Sequence, residues 1–278
     1  VGLMKSFYTA IHSGGYARGR GGVEAKSKTR RRAKEAEEWI QEKIRMSFCT
    51  EAEFRQWLIR NTRRRWSACT ACPLKRHRKN VAYGEGVMEP LLMIVGEAPR
   101  VADDDTGRVF MDRDGDLLRK VCAKLDLDLA RHAFLTNTIG CLTPKGRKPE
   151  KHERRSCSPR LVDQVKTLQP YVLLLLGDTA LRWLETEDRA PSVEDYRGLI
   201  SKDQWPDVGY SGKLNLKAIF CTWHPDTILK AKTKAKKKLL LTQFADDLKK
   251  VKRVVDLLDS KIERSFVDPD EEDYDEDD

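Results

Sequence analysis

A three-layer α/β/α sandwich around a mostly parallel, four-stranded central sheet, preceded by N-terminal helices, is the fold class this sequence predicts. Three observations predict it. Past residue 90, four apolar runs of strand length recur along the chain. Helical patterns separate them, and strand alternating with helix gives a parallel sheet covered on both faces. The runs are continuous rather than alternating, as expected of strands buried on both sides.

Residues 1–66 form a basic N-terminal extension. Its first 32 residues are rich in Gly, Ser, Lys and Arg without apolar periodicity. "AKEAEEWIQEKIRM" and "EAEFRQWLIRNTRRRW" then place Trp39, Ile40, Ile44, Phe54, Trp57 and Leu58 at helical spacings, which predicts two amphipathic helices. Residues 67–255 hold the sandwich. Here "LLMIV", "HAFLTNTI", "YVLLLLG" and "LKAIFCTW" read as strands. "DGDLLRKVCAKLDL", "PRLVDQVKTLQ" and "DTALRWLE" read as the helices between them, and a basic helix follows "HPDTILKAKTKAKKK". Residues 256–278 are an acidic tail ending in "DPDEEDYDEDD". Sites in such sheets gather at the carboxyl ends of the strands. Those ends carry Glu97, Asn137, Gly177 with Asp178, and His224.

The chain of 278 residues has a formal net charge of +9, and the acidic tail leaves the remainder more basic still. A body this basic suits a polyanion, and DNA or RNA fits better than a membrane surface. No apolar run nears the ~20 residues that cross a bilayer, and no secretory signal is visible. A cytoplasmic monomer is the expectation, with reduced cysteines. Of the seven, Cys49, Cys122 and Cys221 are isolated and read as small buried apolar groups. Cys69 and Cys72 form "CTAC", with Cys141 and Cys157 downstream. Four thiolates from separated segments suit an iron–sulfur centre or a structural zinc, and spacing does not choose between them.

"GEAPR" after a buried strand, then "GRVF", "TNTIGCLTP", "LLLLGDTAL" and "WHPDTIL", in that order, resemble the motifs of the family-four, iron–sulfur uracil-DNA glycosylases over roughly residues 67–255. The resemblance implies a monofunctional DNA glycosylase that hydrolyses the N-glycosidic bond of a flipped-out pyrimidine, uracil or a modified base, and leaves an abasic site. It implies a [4Fe-4S] cluster on Cys69, Cys72, Cys141 and Cys157. It places Glu97 on the water-activating side and His224 as a donor to the departing base. Ala98, Pro99, Phe110 and Asn137 become the base pocket, with Phe110 stacking on the base and the Asn137 amide facing its Watson–Crick edge. Lys145, Arg147, Lys148, Pro225 and Lys230 become the DNA-contacting set, on a loop between the last two cysteines and on the segment after His224. The bland alternatives are a helix cap for Glu97, a satisfied core histidine for His224 and a solvated charge run for the loop. A glycosylase for a bulky 5-substituted pyrimidine in phage defence, and a catalytically silent DNA-binding module, are the rival functions.

The chain departs from the family pattern beside the pocket. The family shows GEAPG and G-x-P-F-V-G-x-A-G, and this chain has "GEAPR" and "GRVFMDRDG". Arg100 falls where the better-known GQDPY branch carries the Tyr that guards the C5 side of the base. It can fill that side, turn outward to a phosphate, or pair with Asp103, Asp104 or Asp105. Asp112 and Asp114 replace small residues after Phe110. Asp112 is either a helix-start cap or a group that joins the chemistry.

Overall fold

The structure is a computed structural model, and it describes residues 50–184, 191–200 and 215–264. The predicted helix over residues 33–46, Cys49 and the terminal "DPDEEDYDEDD" lie outside the described residues. The chain divides into two units, residues 1–58 and 59–278, and the second contains the sheet.

In chain order the elements are α1 (Glu51–Ser67), β1 (Glu85–Gly86), β2 (Leu92–Gly96), α2 (Val101–Thr106), α3 (Arg113–Lys124), α4 (Leu129–His132), β3 (Ala133–Asn137), α5 (Lys151–Leu168), β4 (Val172–Leu176), α6 (Gly177–Leu181), α7 (Val193–Tyr196), β5 (Gly198–Ile200), β6 (Ala218–Thr222), α8 (Pro225–Leu229) and α9 (Lys234–Arg264). Thr50 and Glu53 start α1 by reciprocal side-chain to backbone bonds of 3.2 and 3.1 Å, a capping box.

The sheet has six strands in the order β1-β3-β2-β4-β6-β5. The four predicted strands are its parallel centre, and β1 and β5 add an antiparallel edge on each side. The expected four-stranded sheet is thus extended by two strands too short to show a pattern. Alternate residues feed two cores. Leu92, Ile94, Val172, Leu174 and Leu176 meet Leu118 and Val121 of α3 and Leu240, Phe244 and Leu248 of α9. Met93, Val95, Leu173 and Leu175 meet Ile59 of α1 and Leu161, Val165 and Leu168 of α5. Each of these leucines, removed from water, contributes about 2 kcal/mol, and together they give the predicted three layers. Cys122 and Cys221 are buried, as expected, and burial pushes the Cys122 thiol up to about 12.

Two element boundaries differ from the sequence reading. α5 begins at Lys151 and carries Pro159 in its interior, so Cys157 sits on a helix and not in a loop before one. Pro159 reads as a helix start, but the true start is a capping box between Glu150 and Glu153. α9 runs on to Arg264, past the predicted boundary at residue 255, because Val251 and Val255 continue its apolar face into the core.

Candidate active site

β2 leads to β3 on one side of the sheet and β4 leads to β6 on the other, so the crevice between β2 and β4 is the topological switch point. Glu97 stands there, directly after β2. The Thr179 hydroxyl, in the first turn of α6, donates to its Oε1 across the crevice. This fixes one carboxylate oxygen and leaves the other for a ligand. The sequence reading points to Asp178 and misses Thr179. Asp178 instead accepts the Val193 N–H at 2.9 Å and lies 3.8 Å from Lys148, which ties down α7. The signal for Thr179 is its place in the first turn after a buried strand.

Gly96 brings the base-pocket candidates together. A Cβ added there would lie 2.4 Å from Asn137 Oδ1 and 2.6 Å from Phe110 Cζ. The amide and the ring therefore close on one point beside Glu97, and both residues are buried. Phe110 adopts φ 56°, in the left-handed region that costs a non-glycine residue energy. Its carbonyl is held there by Arg119 Nη1 at 2.6 Å, and Gly115 gives it room, since a Cβ at 115 would come within 1.9 Å of that oxygen.

His224 caps α8, and its Nδ1 accepts the Asp226 N–H at 3.2 Å. Nδ1 is therefore the bare nitrogen, and the proton of the neutral ring sits on Nε2 as a donor. Burial pushes its pKa below the ordinary imidazole value, against the opposing pull of Asp114 and Glu97. His224 is thus a neutral donor, the form suited to sit opposite a developing anion without first giving up a charge.

Arg100 does not pair with its sequence neighbours. Its Nη2 lies 2.7 Å from Asp226 and its Nε 3.7 Å from Asp114, so the guanidinium reaches across to the segment after His224. Asp103 and Asp104 are engaged by backbone N–H groups of Arg100 and Met111, and of Lys79 and Asn80, while Asp105 takes the Lys79 ammonium. Burial works against the Asp226 charge, but Lys230 and Arg100 outweigh it and hold the carboxyl below its usual range. Asp112 is the N-cap of α3 but makes no side-chain cap bond. It lines a cavity of about 350 Å³ with Arg100, Arg113, Asp114 and Lys237, next to the smaller cleft of about 100 Å³ that Glu97, Ala98, Pro99, Arg100 and Lys230 line. The carboxylate with the strongest effect on His224 is Asp114, not Asp112.

Of the basic candidates, Arg147, Lys148 and Lys230 rim that smaller cleft. Arg147 is engaged by buried Glu153 in a two-pronged pair of 2.8 and 2.7 Å, and Lys230 lies 2.8 Å from Asp226. Among the described residues Lys145 has no ion-pair partner, and it is exposed. Pro225 is buried in the first turn of α8.

The four spaced cysteines come together. Cys72 feels Cys157 and Cys69 electrostatically, and Cys141 feels Cys157 and Cys72. Three of them share a small apolar cluster with Leu74, Ile139 and Ala98, the residue after Glu97. All four are free thiols. Burial pushes Cys141 up to about 11, opposed by Arg78, whose Nη1 donates to Cys141 Sγ at 3.3 Å while Nη2 donates to the Cys69 carbonyl at 2.5 Å. No group of three or more His, Cys, Asp or Glu among the described residues is set to hold a single metal ion. Nor is any described helix long and apolar enough to cross a membrane.

The family model of the uracil DNA glycosylase superfamily matches residues 83–249. A type-4 uracil-DNA glycosylase of Pyrobaculum aerophilum is 32% identical over 184 residues, covering 65% of this chain and 86% of the relative. One from Thermotoga maritima is 29% identical over 201 residues, covering 72% and 96%. One from Saccharolobus solfataricus is 32% identical over 164 residues, covering 58% and 72%. The matched stretch spans every strand and every strand-end residue described above, and this chain belongs to the uracil-DNA glycosylase superfamily, on its type-4 branch.

Proposed function

We propose that this protein removes uracil from DNA by hydrolysing the N-glycosidic bond, with water as the nucleophile and one chain as the active unit. The observation that carries the proposal is the convergence of Glu97, Phe110, Asn137 and His224 at the switch point of the sheet. In this reading the flipped base stacks on Phe110, and the Asn137 amide pairs with its polar edge. As the bond to C1′ breaks, the sugar becomes cation-like and the electron pair leaves with the base. His224 Nε2–H donates to the base oxygen that gains charge. Glu97, held by Thr179, stabilises the sugar cation and orients the water that adds to C1′. Lys145, Lys148 and Lys230 would hold the flanking phosphates. Lys148 and Lys230 exchange weak carboxylate contacts for them, and Arg147 instead keeps its loop in shape. Glu97→Gln and His224→Ala proteins that bind uracil-containing DNA but release base at least ~100-fold more slowly than wild type would support the assignment. Equal binding and release in all three proteins would overturn it.

The pH dependence follows from the buried imidazole. Because His224 titrates below its ordinary value, its neutral form persists through and above pH ~6.5. Base release should stay level as pH falls from ~8 to ~6.5, and any loss from protonating His224 should come below that window. The same group lowers stability in acid, since the unfolded chain takes up a proton that the buried ring resists. A rate profile at fixed ionic strength checks this, and a His224-dependent drop centred above pH ~7 contradicts it.

Four free thiols, Cys72, Cys141 and Cys157 around one small apolar cluster and Cys69 three residues before Cys72, with the Arg78 guanidinium at Cys141, are a donor set whose chemistry fits a [4Fe-4S] cluster. Cys69, Cys72, Cys141 and Cys157 would hold it. When bound it would supply a structural cross-link between the segment before β1, the turn after β3 and α5. Cys141→Ala should give colourless protein with little iron and a lower yield of folded chain. Full iron content in that variant would remove Cys141 from the ligand set.

A further inference from the structure

Arg160 lies on α5, one turn after Cys157, and is 1% exposed. It has no carboxylate partner among the described residues. Its Nη1 donates to the Tyr83 carbonyl at 2.9 Å, to Thr136 Oγ1 at 3.1 Å and to Gln164 Oε1 at 3.1 Å. Its Nη2 donates to the Asn137 carbonyl. Nε is buried with no hydrogen-bond partner and lies against Gly140, where an added Cβ would come within 3.3 Å of it. A buried guanidinium answered only by neutral acceptors is costly, and the same backbone groups could be satisfied by a neutral side chain. The placement of its fork explains what that cost supports. One prong holds the hydroxyl of Thr136 and the other the backbone carbonyl of Asn137, the last two residues of β3. Gln164 completes the arrangement by accepting from Thr136 at 3.0 Å and donating to the Tyr83 carbonyl.

We infer that Arg160 is a positioning residue for Asn137: it fixes the peptide from which the amide projects, and so sets the aim of that amide into the base pocket. The inference rests on the base-reading role proposed for Asn137. It adds that the aim is set from α5, the helix carrying Cys157, so the cysteine-bearing layer and the base pocket are joined through one side chain. Arg is required because only a planar fork serves Thr136 and Asn137 at once; Lys keeps the charge and loses the fork.

A double-mutant cycle tests this. Arg160→Lys should keep its iron content and melt close to wild type. It should release uracil about 10-fold more slowly, and free uracil as inhibitor should bind it about 10-fold more weakly, roughly one lost hydrogen bond. In an Asn137→Ala background, Arg160→Lys should cost nothing further in either measurement. An equal loss in both backgrounds, or no loss in the wild-type background, overturns the inference. Should Arg160→Lys fold poorly, Thr136→Val removes one acceptor of the fork and keeps the side-chain shape. Coupling of that change to Asn137→Ala supports the inference, and additivity overturns it. An Asn137→Ala protein with unchanged release and unchanged uracil inhibition would sink the base-reading role itself, and this inference with it. Additive losses would sink the inference alone.

Discussion

Glu97→Gln is expected to release uracil at least ~100-fold more slowly than wild type in single-turnover experiments, the scale of losing a positioned electrostatic group. Affinity for uracil-containing DNA should stay within a few-fold. The change is nearly isosteric, and the glutamine oxygen can still accept from Thr179, so the crevice between β2 and β4 keeps its shape. What disappears is the negative charge, which acts on the transition state and not on the bound base. Glu97 begins the turn into α2, yet the cap of that helix is Arg100 with Asp103, so a capping role does not account for it. A rate within about 3-fold of wild type would leave Glu97 without a chemical role.

Gly96→Ala is expected to damage the base pocket directly with a single added methyl group. The added Cβ would overlap both Asn137 Oδ1 and Phe110 Cζ. Neither can yield freely, because both residues are buried and the Phe110 backbone is clamped by Arg119. Overpacking of this kind costs about 1–3 kcal/mol, visible as a lower melting temperature. A displacement of the pocket walls by about 1 Å should slow base release a further ~100-fold. Melting curves and single-turnover rates on one preparation separate the two effects. Lower stability with an unchanged rate would show that the ring and the amide do not form the base slot.

The central sheet is legible in the sequence because strands buried on both faces must be continuously apolar, and Leu92–Gly96, Ala133–Asn137, Val172–Leu176 and Ala218–Thr222 are. The edges Glu85–Gly86 and Gly198–Ile200 are not legible, since two or three residues carry no period. The strand ends point to Glu97, Asn137 and His224 through topology, and the structure brings all three to one end of the sheet. Partners across the crevice follow no local rule. Arg100 has three acids close in sequence and pairs with Asp226 and Asp114 instead, because α2 turns Asp103 and Asp104 toward backbone N–H groups and Asp105 toward the Lys79 ammonium. Thr179 is hidden for the same reason: its meaning comes from Glu97, 82 residues away. The position of Cys157 on α5 is masked by Pro159, a residue that marks helix starts far more often than helix interiors.

The most direct measurement of the central claim is to incubate the purified protein with an oligonucleotide carrying a single uracil, identify any released base by mass spectrometry, and analyse the strand before and after alkali. The account predicts free uracil in amounts equal to the abasic sites formed, with the strand intact until alkali cleaves it. Binding of the oligonucleotide without release of any base would contradict it.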